Sequence, residues 1–79
     1  MYLSDVIEPL ITQRLKEMCV DKKVLIHPIE SNEKEITINC KSVKFGNDDG
    51  DCWLEFIDDQ DNKYNVVGQG IDIYFEIVE

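Results

Sequence analysis

Three cysteines, a single histidine and two acid-rich turns are the places in this sequence where chemistry could reside. Cys19, Cys40 and Cys52 include no closely spaced pair, the pattern that structural zinc sites normally show. His27 precedes Pro28 in an extended segment. Pairing it with a cysteine would make a thiol nucleophile, but that chemistry needs a third group to orient the base, and no flanking motif provides one. His27 therefore reads as a surface or rim residue. Residues 47–51 and 58–62 are rich in oxygen ligands, yet neither stretch has the alternating ligands, glycine and distal glutamate of a calcium loop. Gly68 and Gly70 lie between two strands with no helix opening after them, so they form no phosphate cradle. A chain of 79 residues also leaves little room for a substrate pocket of roughly 300 Å³ or more. These residues point to a protein that is not an enzyme, uses no cofactor and holds no metal.

An odd cysteine count without a secretion signal reads as free thiols in a reducing compartment, each filling a small apolar gap in the core. The expected location is the cytoplasm. No apolar run approaches the roughly 18 residues that span a bilayer. The net charge is −9, which repels phosphate and so argues against direct binding of nucleic acid or an anionic membrane. The charge is also segregated. Residues 1–44 hold seven acids and seven bases, whereas residues 45–79 hold ten acids and one base, Lys63.

The elements that must position these groups follow from periodicity. Leu3, Ile7, Leu10, Ile11, Leu15 and Met18 recur at helical steps and form one apolar stripe, capped by Ser4 or Asp5 and ending near Val20 and Asp21. Pro9 fits best at a first helical position, so the regular helix is expected to begin there after an irregular turn. From Lys22 the period becomes 2. Val24, Leu25 and Ile26 make a first strand that Pro28 ends or confines to an edge. A second strand starts near Glu35. Ile36, Ile38 and Cys40 share one face and Val43 and Phe45 have the opposite parity, so a bulge near Lys41 and Ser42 is needed to bring both sets to one core. Residues 46–51 form a turn, residues 52–58 a third strand, and residues 63–67 a fourth. In residues 71–78, Ile71, Ile73, Phe75 and Ile77 alternate with Asp72, Tyr74, Glu76 and Val78, the clearest strand pattern in the chain. The prediction is a single α+β domain: an N-terminal helix on an antiparallel sheet of four or five strands, with a bent SH3-like or Sm-like partial barrel as a variant.

In such a meander the first turn (Glu30, Glu33, Glu35) shares an end with the third (Asp58, Asp59, Asp61). The second turn lies at the opposite end, near Gly68 and Gly70. Glu55, Asp72 and Glu76 then join the two ends across a polar face, giving a long row of separated carboxylates. Trp53 and Tyr74 fall opposite the apolar alternation of their strands and stand ready as contact residues beside the charge. The partner this surface suits is a basic protein, such as a nucleic-acid-binding enzyme or effector. A different class is an oligomeric small barrel that binds a small ligand or assembles structurally, with residues 71–78 pairing to a second copy at an open edge.

Leu3-Ser4-Asp5-Val6-Ile7-Glu8 resembles the opening helix of the phage inhibitors of uracil-DNA glycosylase, acidic DNA mimics of similar length. Trp53 leading into the Asp/Asn-rich turn at 59–63 is similar to their late hairpin. Ile29-Glu30-Ser31 resembles the Glu-Ser element that family inserts into its target. The family's second helix has no counterpart, and residues 71–78 are additional. The resemblance implies an inhibitor of phage anti-host or immunity type, blocking a nucleic-acid-handling protein by charge mimicry.

Overall fold

A computed structural model describes residues 1–31 and 34–78. Helix α1 spans Leu3–Cys19 and runs unbroken through Pro9, so the expected irregular first turn is absent. The N-cap is Tyr2, two residues ahead of Ser4 and three ahead of Asp5. The Asp5 carboxylate accepts the Tyr2 N–H at 2.9 Å, which satisfies an otherwise orphaned donor and places negative charge at the positive helix end. Pro9 then forfeits one backbone hydrogen bond. The helix stops at Val20, and Asp21 turns the chain with a left-handed backbone (φ 67°).

Five strands follow: β1 Lys23–Ile26, β2 Ile36–Asp48, β3 Asp51–Asp58, β4 Lys63–Val67 and β5 Glu76–Ile77. They form one antiparallel sheet in the order β4-β3-β2-β1-β5. Strand β2 joins its two halves. Residues 36–39 pair with β1, and residues from Cys40 onward pair with β3. The ladder shifts register between Cys40 and Ser42, where the parity of the sequence demanded a bulge. That extra residue puts Ile38 and Cys40 on the same buried face as Val43 and Phe45, and it bends the sheet. The two-residue loop Asp49-Gly50 has positive φ at both positions, the hairpin geometry that matches strand twist.

The concave face carries the core: Val24 and Ile26 from β1, Phe56 and Leu54 from β3, and Val66 from β4, beside the β2 residues. All three cysteines are buried and free. Helix α1 caps this core through Leu15 and Cys19, with Ile11 and Met18 alongside. Beyond the bulge β1 no longer covers β2, and the Thr12 hydroxyl accepts the Phe45 N–H at 3.1 Å. Only the second half of the helical stripe is buried. Leu3, Ile7 and Leu10 remain exposed, because the face that meets the sheet is the one with Thr12, Leu15 and Cys19, and at 3.6 residues per turn the three exposed residues point away from it.

The fifth strand is far shorter than its alternation suggests. Ile73, Phe75 and Ile77 do pack on the core, but only Glu76 and Ile77 join the ladder, opposite Leu25 and Val24. The partner runs out: β1 ends at Ile26, and His27-Pro28 leads into a single 3₁₀ turn at Ile29–Ser31. Pro28 has no N–H to offer a ladder. That 3₁₀ turn packs against β4, so the chain curls toward a barrel. Strands β4 and β5 stay unpaired with each other, and the sheet remains open. No helix among the described residues is long and apolar enough to cross a membrane.

Candidate functional site

The bend in β2 redistributes the carboxylates. The β3–β4 turn adjoins Cys40, since Cys40 pairs with Asp58, whereas the β1–β2 connection ends at Ile36. Four residue steps along β2 separate them, roughly 13 Å. The third turn faces a basic strip: Lys41 Nζ lies 2.6 Å from the Asp61 carboxylate, and Asn39 Nδ2 donates to Asp59 at 3.3 Å. Lys22 and Lys23 line the same groove. The acids of the first and third turns therefore do not form one row along β2, although the 3₁₀ turn carries Glu30 to β4, where its charge and that of Asp58 both act on Tyr64. The second turn does lie where expected, because Trp53 pairs with Val67 and so brings Gly68 next to the Asp51 end of β3. At its tip Asp48 and Asp51 face each other across the ladder, an unfavourable like-charge pair.

Two of the predicted contact acids are used inside the fold. Asp58 is 8% exposed. Its carboxylate accepts the backbone N–H groups of Gln60 and Asn62 at 2.9 Å each, Asn62 Nδ2 at 3.2 Å and the Tyr64 hydroxyl at 3.4 Å. Burial works against its charge, but the bonds from Asn62, Gln60 and Tyr64 outweigh it and hold the carboxyl below its ordinary pKa. Asp58 is thus the organiser of the β3–β4 turn. Glu30 accepts from Asn65 twice, from the backbone N–H at 2.9 Å and from Nδ2 at 2.8 Å. Desolvation opposes the charge there too, and the Asn65 bonds more than offset it, lowering the pKa. Glu30 therefore satisfies the open edge of β4 and ties the 3₁₀ turn to it. The Ile29-Glu30-Ser31 element is a pinned turn, with its carboxylate already occupied.

Trp53 is half-buried. Gly46 lies across the ladder from it, and a Cβ at that position would overlap the indole ring, so glycine lets the ring lie flat on the β2 backbone. Glu55 is half-buried opposite Lys44 and belongs to a groove between α1 and the sheet that also holds Asp5, Glu8, Thr12 and Lys16. Glu33 lies outside the described residues.

The remaining predicted residues converge. Glu35, Asp72 and Tyr74 line one cleft of about 570 Å³, together with His27, Pro28 and Ile29 from the β1–β2 connection and Val66 and Val67 from β4. The groove beside α1 is similar in size, about 520 Å³. Both exceed what the chain length suggested, because each is an open surface cleft formed where elements meet and needs no enclosing core. The Val67-to-β5 connection builds the first cleft. It folds back so tightly that a side chain at Gly68 would collide with the Asp72 carbonyl, and Asp72 N–H bonds the Gln69 carbonyl at 3.0 Å. Ile73 and Phe75 turn inward, Phe75 stacking at 6.0 Å and 58° to Phe56. Tyr74, between them, is directed outward and is 67% exposed.

The Tyr74 hydroxyl donates to Glu76 at 2.6 Å. Its pKa is raised, first by that bond and the Glu76 charge, then by desolvation and the Glu35 charge. Two carboxylates, Glu76 and Glu35, thus act on one phenol, and Asp72 lines the same cleft above a floor of Pro28, Val66 and Val67. Among the described residues no three His, Cys, Asp or Glu side chains come close enough to hold a metal ion. The acids are spread along the rim, an arrangement that suits an elongated cation. The thiols take no part in it: burial pushes Cys19 up and Cys40, flanked by Cys19, up to about 11, which keeps both protonated and poorly nucleophilic. The sequence offered Glu35, Asp72, Glu76 and Tyr74 as members of a longer row; His27 and the apolar floor were not assigned to it, since only the 3₁₀ turn brings them to β4.

No family model matches the chain, and neither a curated protein nor a solved structure matches it.

Proposed function

We propose that this is a small, acidic, non-enzymatic binding protein that docks on the basic surface of a nucleic-acid-handling protein and competes there with nucleic acid. The observation that carries the reading is the cleft at Glu35, Asp72 and Tyr74. An arginine or lysine side chain from a partner fits its chemistry: the aliphatic stem lies on Pro28, Val66 and Val67, the cation meets the carboxylates, and a guanidinium stacks on the Tyr74 ring. Exposed Ile29 and Val67 supply apolar contact beside the charge. The ten acids of residues 45–79 add long-range steering toward a basic partner. The role of an inhibitor acting by charge mimicry rests on this charge and on the short resemblances in the sequence; Glu30, engaged by Asn65, is not among the groups that would act in it.

The test is a titration against purified basic DNA- and RNA-binding proteins, each loaded with a labelled oligonucleotide. The expected result is displacement of the oligonucleotide, weakened by added salt and by the pair Glu35→Gln and Asp72→Asn. Tight binding that leaves the oligonucleotide in place, or displacement unchanged in the double variant, would sink the reading.

A further inference from the structure

We infer that a second copy of this chain packs on the exposed first half of helix α1, the two helices running antiparallel about a two-fold axis between Val6 and Ile7. This inference is independent of the acidic cleft. Leu3 is 73% exposed and Leu10 61%, with Val6 and Ile7 exposed between them. Positions 3, 6, 7 and 10 lie on one helical face. Their spacing is symmetric, so an antiparallel copy sets Leu3 against Leu10 and Val6 against Ile7, the self-complementarity that a two-fold interface requires.

The face continues past the helix. Ile7 precedes Ile11 by one turn, and Ile11 borders an apolar pocket of about 220 Å³ shared with Leu15, Phe45 and Ile71. Ile71 is 80% exposed. These aliphatic side chains together leave on the order of 500 Å² uncovered, at the upper end for a monomer's largest apolar patch. A standard interface needs about 800 Å² per partner with roughly 65% of its core apolar, so the patch supplies the apolar core of one.

Charge selects the occupant. The helical part of the patch, residues 3–10, holds two acids, Asp5 and Glu8, and no lysine or arginine. Asp5 and Glu8 line the groove on the other flank of the helix, with Pro9, Thr12 and Lys16, so antiparallel pairing does not bring them face to face. Arg14 and Glu17 pair with each other at 3.4 Å just beyond Leu10 and close the stripe. A basic partner would be drawn to the acidic half instead. An anionic membrane would require a lysine- and arginine-rich polar face, which a helix with three acids and two bases lacks.

Analytical ultracentrifugation of the full chain at low and high salt tests the inference. The expected result is a dimer whose dissociation constant falls as salt rises, because screening relieves the repulsion of two chains of −9 each. The double variant Leu3→Gln, Leu10→Gln should raise that constant at least about a hundredfold with an unchanged circular dichroism spectrum, since both side chains are mostly exposed in the single chain. A wild-type chain that stays monomeric at every salt concentration overturns the inference. So does a dimer equally tight in the variant, which would place the contact at the open β5 edge. So does a monomer that co-sediments with phosphatidylserine vesicles. Basic-partner binding responds to salt with the opposite sign, so failure of one proposal does not mimic failure of the other.

Discussion

The Phe56–Phe75 contact sets how firmly the unpaired stretch between Gly70 and β5 is held, and its strength can be worked out beforehand. Phe56 is fully buried, and Phe75 is half-buried against it at 6.0 Å with a 58° tilt, inside the range where aromatic pairs attract. Truncating a buried phenylalanine to alanine costs about 3–5 kcal/mol. The total stability of a 79-residue domain is about 4–12 kcal/mol, so Phe56→Ala removes from about a quarter to all of it. For Phe75, half-buried, about 2 kcal/mol is expected, leaving a folded protein whose Tyr74 is no longer held over the cleft. Conservative replacement isolates the ring contact. In a cycle of Phe56→Leu, Phe75→Leu and the double variant, the coupling should be about 0.5–1.5 kcal/mol. Urea unfolding followed by the fluorescence of the single tryptophan, Trp53, measures it. Coupling below about 0.3 kcal/mol would mean that the C-terminal segment does not rest on Phe56, and the construction of the cleft would fail with it.

Three further outcomes follow from groups inside the fold. Cys40 has its pKa raised to about 11 by burial, so the native state keeps a proton that the unfolded chain loses near pH 9; stability should fall as pH rises from about 9 to 11, and thermal melts should show a shallower fall in Cys40→Ala. Glu30 has its pKa lowered once the Asn65 bonds have offset its desolvation; that contribution is present above the ordinary carboxylate range and is lost as pH falls through about 4 and below, so Glu30→Gln should lower the melting temperature at neutral pH and narrow its difference from wild type in acid. Gly46→Ala places a methyl group in the Trp53 ring, which should destabilise by about 1–3 kcal/mol and shift the tryptophan emission; unchanged emission would show that the ring does not lie on β2.

Much of the fold was legible because it rests on parity. The opposite phases of Ile36, Ile38 and Cys40 and of Val43 and Phe45 required one inserted residue, and the ladder shifts between Cys40 and Ser42. Strand β4 likewise follows from its alternation and flanking turns. Periodicity does not carry the length of the partner, and this is where the reading overreached. Residues 71–75 alternate as a strand does, but β1 stops at Ile26 and they do not join its ladder; Asp72 bridges back to Gln69 instead. Leu3, Ile7 and Leu10 repeat as a buried helix face does, but the face laid on the sheet is that of Thr12, Leu15 and Cys19, turned well away from them around the helix. The candidate site was legible in composition and not in arrangement. Asp58 looks like any turn aspartate until Gln60, Asn62 and Tyr64 are seen to close on it. His27 joins Glu35 and Asp72 only because Glu30 fastens its turn to Asn65, 35 residues away, a pairing that no local pattern encodes.

The same segregation of charge that separates residues 1–44 from 45–79 gives the molecule two surfaces with opposed requirements. On the two proposals, the apolar face of α1 would associate best when electrostatics are silent, and the cleft at Glu35, Asp72 and Tyr74 would bind best when they are strong. Were the excess acid spread evenly over the surface, each copy would repel its twin across the helix face. Concentrated at the hairpin tip and the β4–β5 side, it leaves near the helix face only Asp5 and Glu8, which line the groove on the other flank. Screening falls off over about 8 Å at physiological ionic strength, shorter than the 36 Å long axis of the chain, so charges at one pole act only weakly at the other. Two helices can therefore meet in ordinary salt while both clefts keep their field. A dimer of this kind presents two acidic clefts at once, and a partner with two basic sites would bind it with an avidity that the monomeric Leu3→Gln, Leu10→Gln variant loses although its clefts are intact.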